Sequence, residues 1–140
     1  MRCGSPRYPM EILLKSGAVF MIIALALAWL LVAVKYLGLF GGLFTNAKYL
    51  LSAHLDYIFM AILNWLVFAL FNQLHLPAAK EMLWLIVTGS ALNPALFVFL
   101  SVKPDVKKSI FSPFGMASGF SFTLTSAGYG WAALIVGGFL

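Results

Sequence analysis

Charge is what this chain has least of. Only 9% of its 140 residues are Asp, Glu, Lys or Arg, against 63% hydrophobic residues and a mean hydropathy of +1.00. A globule of this size cannot hide that much apolar surface from water, whereas lipid solves the problem directly, so a soluble domain is excluded and an integral membrane protein is expected. Cysteine is nearly absent. Cys3 stands alone, which rules out an intramolecular disulfide and leaves an idle thiol or, beside a basic residue, an acylation site. Basic residues are few and scattered at the ends of hydrophobic runs, so the net charge of +5 reflects flanking anchors and no nucleic-acid patch. The sequence shows no internal repeat and no low-complexity tract, and a second, soluble domain is not expected within these 140 residues.

What is present is four long uncharged stretches: Ser16 to Val34, Tyr57 to Ala79 with its upstream extension from Tyr49, Met82 to Val102, and Ser109 to Leu140. About 20 residues of helix cross a bilayer core. These runs predict an all-α, four-helix transmembrane bundle in one domain over 1–140, with helices near 12–36, 49–72, 78–102 and 115–139. Strands are excluded by the length of the runs and their lack of alternation. The first run is too long for the apolar stretch of a signal peptide and reads as a retained anchor. Four spans put both termini on one side. Arg2, Arg7, Lys15 and Lys80 then fall on that side and Lys35, Lys48, Lys103, Lys107 and Lys108 on the other, a balance that leaves orientation open.

The connections are read from their turn formers. Gly41-Gly42 and Thr45-Asn46 mark the first, and Pro77 fits the first turn of the third helix. Pro104 and Pro113 bracket the third, the longest polar segment and the expected cap over a site.

Against this apolar background His54, Asp56 and Tyr57 form a polar cluster just inside the second span. An ionised side chain at the bilayer centre costs roughly 2.5–3.5 kcal/mol, so such groups face a partner, a cavity or a cofactor. At about 1.5 Å per residue, His54 lies roughly 6–9 Å in from the side of the first and third connections and Asn93 about 15 Å. Ser121, Thr123 and Thr125 enter the fourth helix from that side, and Asn64 sits deeper, at about 21 Å. These residues outline a pocket open toward the third connection. His54, Tyr57 and Asn64 share one helix stripe, whereas Asp56 points some 160° from His54 and needs a partner on another helix or subunit. His54 reads either as a histidine snorkelling to the interface or as an axial metal ligand. Tyr57 reads as an interfacial belt residue or a catalytic phenol, and Asn64 as a helix–helix bond or a substrate contact. Asn93-Pro94 should kink the third helix. Gly119, Thr123 and Ala127 form a small-residue association stripe on the fourth.

The segment Leu51-Ser52-Ala53-His54-Leu55-Asp56 resembles the corresponding segment of hydroxylaminobenzene mutases and, more distantly, of bacterial styrene oxide isomerases. The likeness extends through Asn93 and the Phe-rich stretch after it, the Pro-containing loop, Phe114-Gly115 and Phe120-Ser121-Phe122. The resemblance implies a homotrimer in the bacterial inner membrane, with b-type haem held between subunits and His54 as the iron ligand. It further implies a Lewis-acid isomerisation of a small hydrophobic oxygenated substrate. Tyr57, Asn93 and Asn64 are then the expected catalytic residues, and His54, Asp56 and Thr123 the expected cofactor contacts. Three family positions differ: Met60 stands where the isomerases have an Asn, Phe97 where they have a Tyr, and Gly89 where they have an Asp. A non-enzymatic membrane subunit, using haem for electron transfer or serving a structural role, is the other expectation.

Overall fold

The computed structural model describes residues 9–140. Arg2, Arg7 and Cys3 lie outside the described residues, and with them the acylation alternative. The chain folds as four α-helices: α1 (Glu11–Tyr36), α2 (Ala47–Gln73), α3 (Lys80–Val102) and α4 (Pro113–Val136). The first three are each long and apolar enough to cross a membrane, so the chain is a helical, multi-pass membrane protein. In α4, Gly, Ser and Thr dilute the apolar residues, although no charge interrupts the helix.

Local chemistry sets the boundaries. Asn46 caps α2 by accepting from the Lys48 amide at 3.1 Å. α4 begins two residues earlier than its apolar pattern suggests, because Ser112 caps it by accepting from the Gly115 amide at 3.1 Å and Pro113 suits the first helical position. It ends at Val136, ahead of Gly137-Gly138. Pro77 differs from expectation. α2 ends in a turn in which His75 takes φ +52°, the chain stays non-helical past Pro77, and α3 opens only at Lys80. α3 runs unbroken through Pro94, which is buried.

The helices pack in chain order, α1 on α2, α2 on α3 and α3 on α4, with slight contact between α1 and α3 or α2 and α4. Among the described residues α1 and α4 do not meet. The bundle is therefore an open row with two free outer faces. One apolar core, built on Phe20, Ala24, Leu50, Ala53 and Tyr57, lies toward the end that carries the first and third connections. A second, on Leu13, Phe71, Met82, Leu83 and Ile86, lies toward the other end. Large apolar side chains cover the outside: Trp29 is 76% exposed and Phe122 69%, as lipid contact requires.

Close approach between α3 and α4 depends on glycine. A Cβ on Gly89 would meet the backbone of Thr125, and one on Gly128 the backbone of Ile86. The inward face of α4 thus runs through Ser121, Gly128 and Ala132, all buried. The stripe expected to associate within the bundle faces outward instead. Gly119 has open space where a Cβ would sit, and Thr123 and Ala127 are exposed.

Candidate functional site

Two polar layers lie inside the bundle, one in each half. The layer nearer the first and third connections holds the residues the sequence singles out. His54 is half-buried on the edge of α2 that borders α1, and its Nδ1 lies 2.7 Å from the carbonyl oxygen of Ala24. A carbonyl only accepts, so Nδ1 carries a proton, and the neutral ring then has its lone pair on Nε2. Asp56 points to the opposite edge and accepts from Asn93 Nδ2 at 2.7 Å. Its partner is on another helix, as the 160° separation requires, and is a side-chain amide of α3. Tyr57 is buried, packs its ring 5.9 Å from Phe20 and donates to the Ala91 carbonyl at 3.4 Å. That carbonyl neighbours the one on Ser90, which loses its usual donor because Pro94 has no amide hydrogen.

The remaining expected contacts are not gathered around His54. Thr123 is exposed and donates to Gly119 of its own helix at 2.8 Å. His75 lies in the second connection, exposed and at the other end of the bundle. Asn64, although on the same helix stripe, belongs to the second layer.

That second layer was not anticipated. Asn64 is fully buried and links all four helices. Its Nδ2 donates to Ser16 Oγ at 2.9 Å, and Ser16 donates onward to the Leu13 carbonyl at 3.2 Å. Its Oδ1 accepts from the Tyr129 hydroxyl at 2.6 Å. Tyr129 has one proton, already given to Asn64, so the 2.9 Å contact between Ser90 Oγ and Tyr129 is donated by Ser90. The result is a chain with one direction throughout: Ser90 to Tyr129 to Asn64 to Ser16 to Leu13. Counting depth from the opposite end of each helix would have grouped Ser16, Asn64, Ser90 and Tyr129, which all fall about 8–15 Å in from that end.

A groove of about 620 Å³ opens beside this layer, between α2 and α4. Leu66, Leu70, Ala133 and Val136 line it, and Tyr129, Thr125 and Ser126 contribute its polar atoms. It lies in the opposite half from the pocket expected under the third connection. That connection does fold over the head of α2, where Lys108 donates to the Tyr49 hydroxyl at 2.5 Å and sits 4.9 Å from its ring centre. Thr45 and Asn46 both bond the Ser101 carbonyl, tying the first connection to the end of α3.

No cluster of three or more His, Cys, Asp or Glu side chains suited to a metal ion occurs among the described residues. Comparison with protein-family models, curated proteins and solved structures found no match.

Proposed function

We propose that this chain is a haem-binding membrane isomerase or mutase acting on a small hydrophobic oxygenated substrate, in which His54 would hold the iron of a b-type haem. The observation that carries this reading is the Nδ1 bond from His54 to the Ala24 carbonyl at 2.7 Å. Ligating histidines characteristically give their second ring N–H to a carbonyl or carboxylate, which fixes the tautomer and the ring orientation. A single neutral imidazole fits a haem iron, and Leu51 and Leu55 beside it are exposed apolar side chains suited to a porphyrin face. Bound ferric haem would supply Lewis-acid polarisation of a substrate oxygen.

The chain's own residues then divide by what already engages them. Tyr57 holds the Ala91 carbonyl by a long bond of 3.4 Å, so its hydroxyl can turn to orient a substrate oxygen. Asn93 is committed to Asp56, which makes it a positioning residue, and Asn64 to its four-helix chain, which makes it a tie between helices. In this reading α4 is the fourth span: it is 24 residues long, carries no charge and runs along α3. The two free faces of the open row favour a homo-oligomer, a trimer by resemblance, with haem at the subunit boundary. Its setting is then the bacterial inner membrane.

One observation favours haem binding without isomerisation. Met60 and Phe97, which stand where the isomerases carry polar side chains, are packed into the apolar core. The experiment is purification of the full chain from haem-replete cells. The expected result is a Soret band that His54→Ala abolishes and His75→Ala leaves intact. Full haem occupancy in His54→Ala, or none in the wild type, refutes the proposal. A Soret band with no turnover of epoxides or aryl hydroxylamines selects the non-enzymatic reading.

A further inference from the structure

Three helices bring polar side chains to one level about 12–14 Å inside the end that carries the first and third connections, at 1.5 Å per residue. The first is Asp56 on α2, half-buried, with Oδ2 held by Asn93 at 2.7 Å. Among the described residues the one ion pair is Glu11–Lys15, at the far end of α1, so no basic side chain pairs with this carboxylate. The second is Asn93 on α3. Because its Nδ2 faces a carboxylate, its Oδ1 turns away and remains able to accept. The third is Ser121 on α4, whose Oγ is fully buried and has no hydrogen-bond partner.

The register between α3 and α4 sets the third group beside the second. Gly89 lies against Thr125 and Gly128 against Ile86 in this antiparallel pair. One turn further along each helix places Ser121 at the level of Asn93. An orphaned buried hydroxyl carries a desolvation cost of roughly 1–3 kcal/mol, and an unpaired carboxylate within lipid costs several, so both point to a missing partner.

We propose that Asp56, Asn93 and Ser121 form an intramembrane binding site for a small monovalent cation of the sodium class. A carboxylate, an amide carbonyl and a hydroxyl are hard oxygen donors, which suit alkali cations and disfavour soft metals. One carboxylate neutralises one positive charge, whereas a divalent ion would leave net charge within the bilayer. The full burial of Ser121 excludes organic cations, because only a bare ion reaches it. The site stands apart from the haem reading, since Asp56 and His54 occupy opposite edges of α2.

The test is thermal unfolding of the full chain in detergent, titrated with sodium chloride against choline chloride at constant ionic strength. The wild type should show a saturable, sodium-specific rise in Tm. Asp56→Asn should abolish it, Ser121→Ala should weaken the apparent sodium affinity by about tenfold, equivalent to one lost ligand of about 1.4 kcal/mol, and Glu81→Gln, on the surface, should leave it unchanged. Equal Tm in sodium and choline overturns the proposal, as does a wild-type response in Asp56→Asn. Should Asp56→Asn fail to fold, Ser121→Ala decides. If Ser121 is merely an orphan, its removal raises Tm equally in both salts, and the site does not exist.

Discussion

Replacing Asn64 with leucine keeps the branched shape of a fully buried side chain while removing its bonds to Ser16 at 2.9 Å and from Tyr129 at 2.6 Å. Interhelical hydrogen bonds within membranes average about 0.6 kcal/mol and reach about 1.7. Two such bonds give an expected loss of about 1.2 kcal/mol, with a ceiling near 3.4. Tyr129→Phe removes one of the two and leaves Ser90 only its longer, 3.5 Å contact with Asn64 Oδ1. The informative measurement is a double-mutant cycle of Asn64→Leu and Tyr129→Phe, read by circular dichroism during equilibrium unfolding in mixed detergent and SDS micelles. The coupling energy should be about 0.6–1.7 kcal/mol. Independent sites add within about 0.3–0.5 kcal/mol, so a coupling inside that scatter would refute the directional chain. If Asn64 instead contacts substrate, Asn64→Leu abolishes turnover and leaves stability unchanged.

Substitutions at glycine separate the two faces of α4. Gly89→Ala and Gly128→Ala each drive a Cβ into backbone of the facing helix, and each should cost about 1–3 kcal/mol in the same unfolding assay. Gly119→Ala meets open space and should be neutral or stabilising by up to about 1 kcal/mol, the helix-propensity gain. Gly17→Ala pushes against the Trp65 indole, which must swing and give up its 3.1 Å bond to the Leu14 carbonyl; a change in tryptophan fluorescence reports it. Asp56→Leu loses the tie to Asn93 and should weaken α2–α3 packing by about 0.6–1.7 kcal/mol, whereas Asp56→Asn retains an acceptor and should lose less. Lys108→Gln touches only an exposed contact with Tyr49 and should stay within about 0.5 kcal/mol of wild type.

Properties carried within a single helix were legible in the sequence, and properties of helix pairs were not. The uncharged runs place α1, α2 and α3 within about two residues, because lipid forces one continuous helix across each apolar run. The 100° turn per residue correctly sends His54 and Asp56 to opposite edges of α2. Pro77 misleads because it is compatible both with a first helical turn and with the extended lead-in it occupies. The Asp56–Asn93 and Asn64–Tyr129 pairs depend on axial register between helices, which nothing in one helix's own pattern encodes. The glycines of α4 show the same limit. Gly119-Thr123-Ala127 and Ser121-Thr125-Gly128 both have the spacing of a contact stripe, and only the partner helix decides which one is buried.

The central helix pair explains why so much polar chemistry survives in so apolar a chain. α2 has a neighbour on each side, α1 at the His54 edge and α3 at the Asp56 edge, so a polar group at either edge reaches a protein partner without crossing lipid. An outer helix has only one such edge. That asymmetry accounts for His54, Asp56, Tyr57 and Asn64 all lying on α2, while α1 contributes only Ser16 and the backbone carbonyls of Leu13 and Ala24 to the two layers. It also ties tolerance to position. A polar residue added to the exposed face of α2, at Phe59 or Ile62, meets lipid with no acceptor in reach and should cost several kcal/mol. At Met60, whose Sδ lies 4.0 Å from the Tyr129 hydroxyl, a substituted polar group faces a partner on α4. Met60→Asn should therefore be far better tolerated than Ile62→Asn in the unfolding assay. Equal losses at the two positions would show that burial on α2, and not access to a partner, governs which polar side chains the helix can hold.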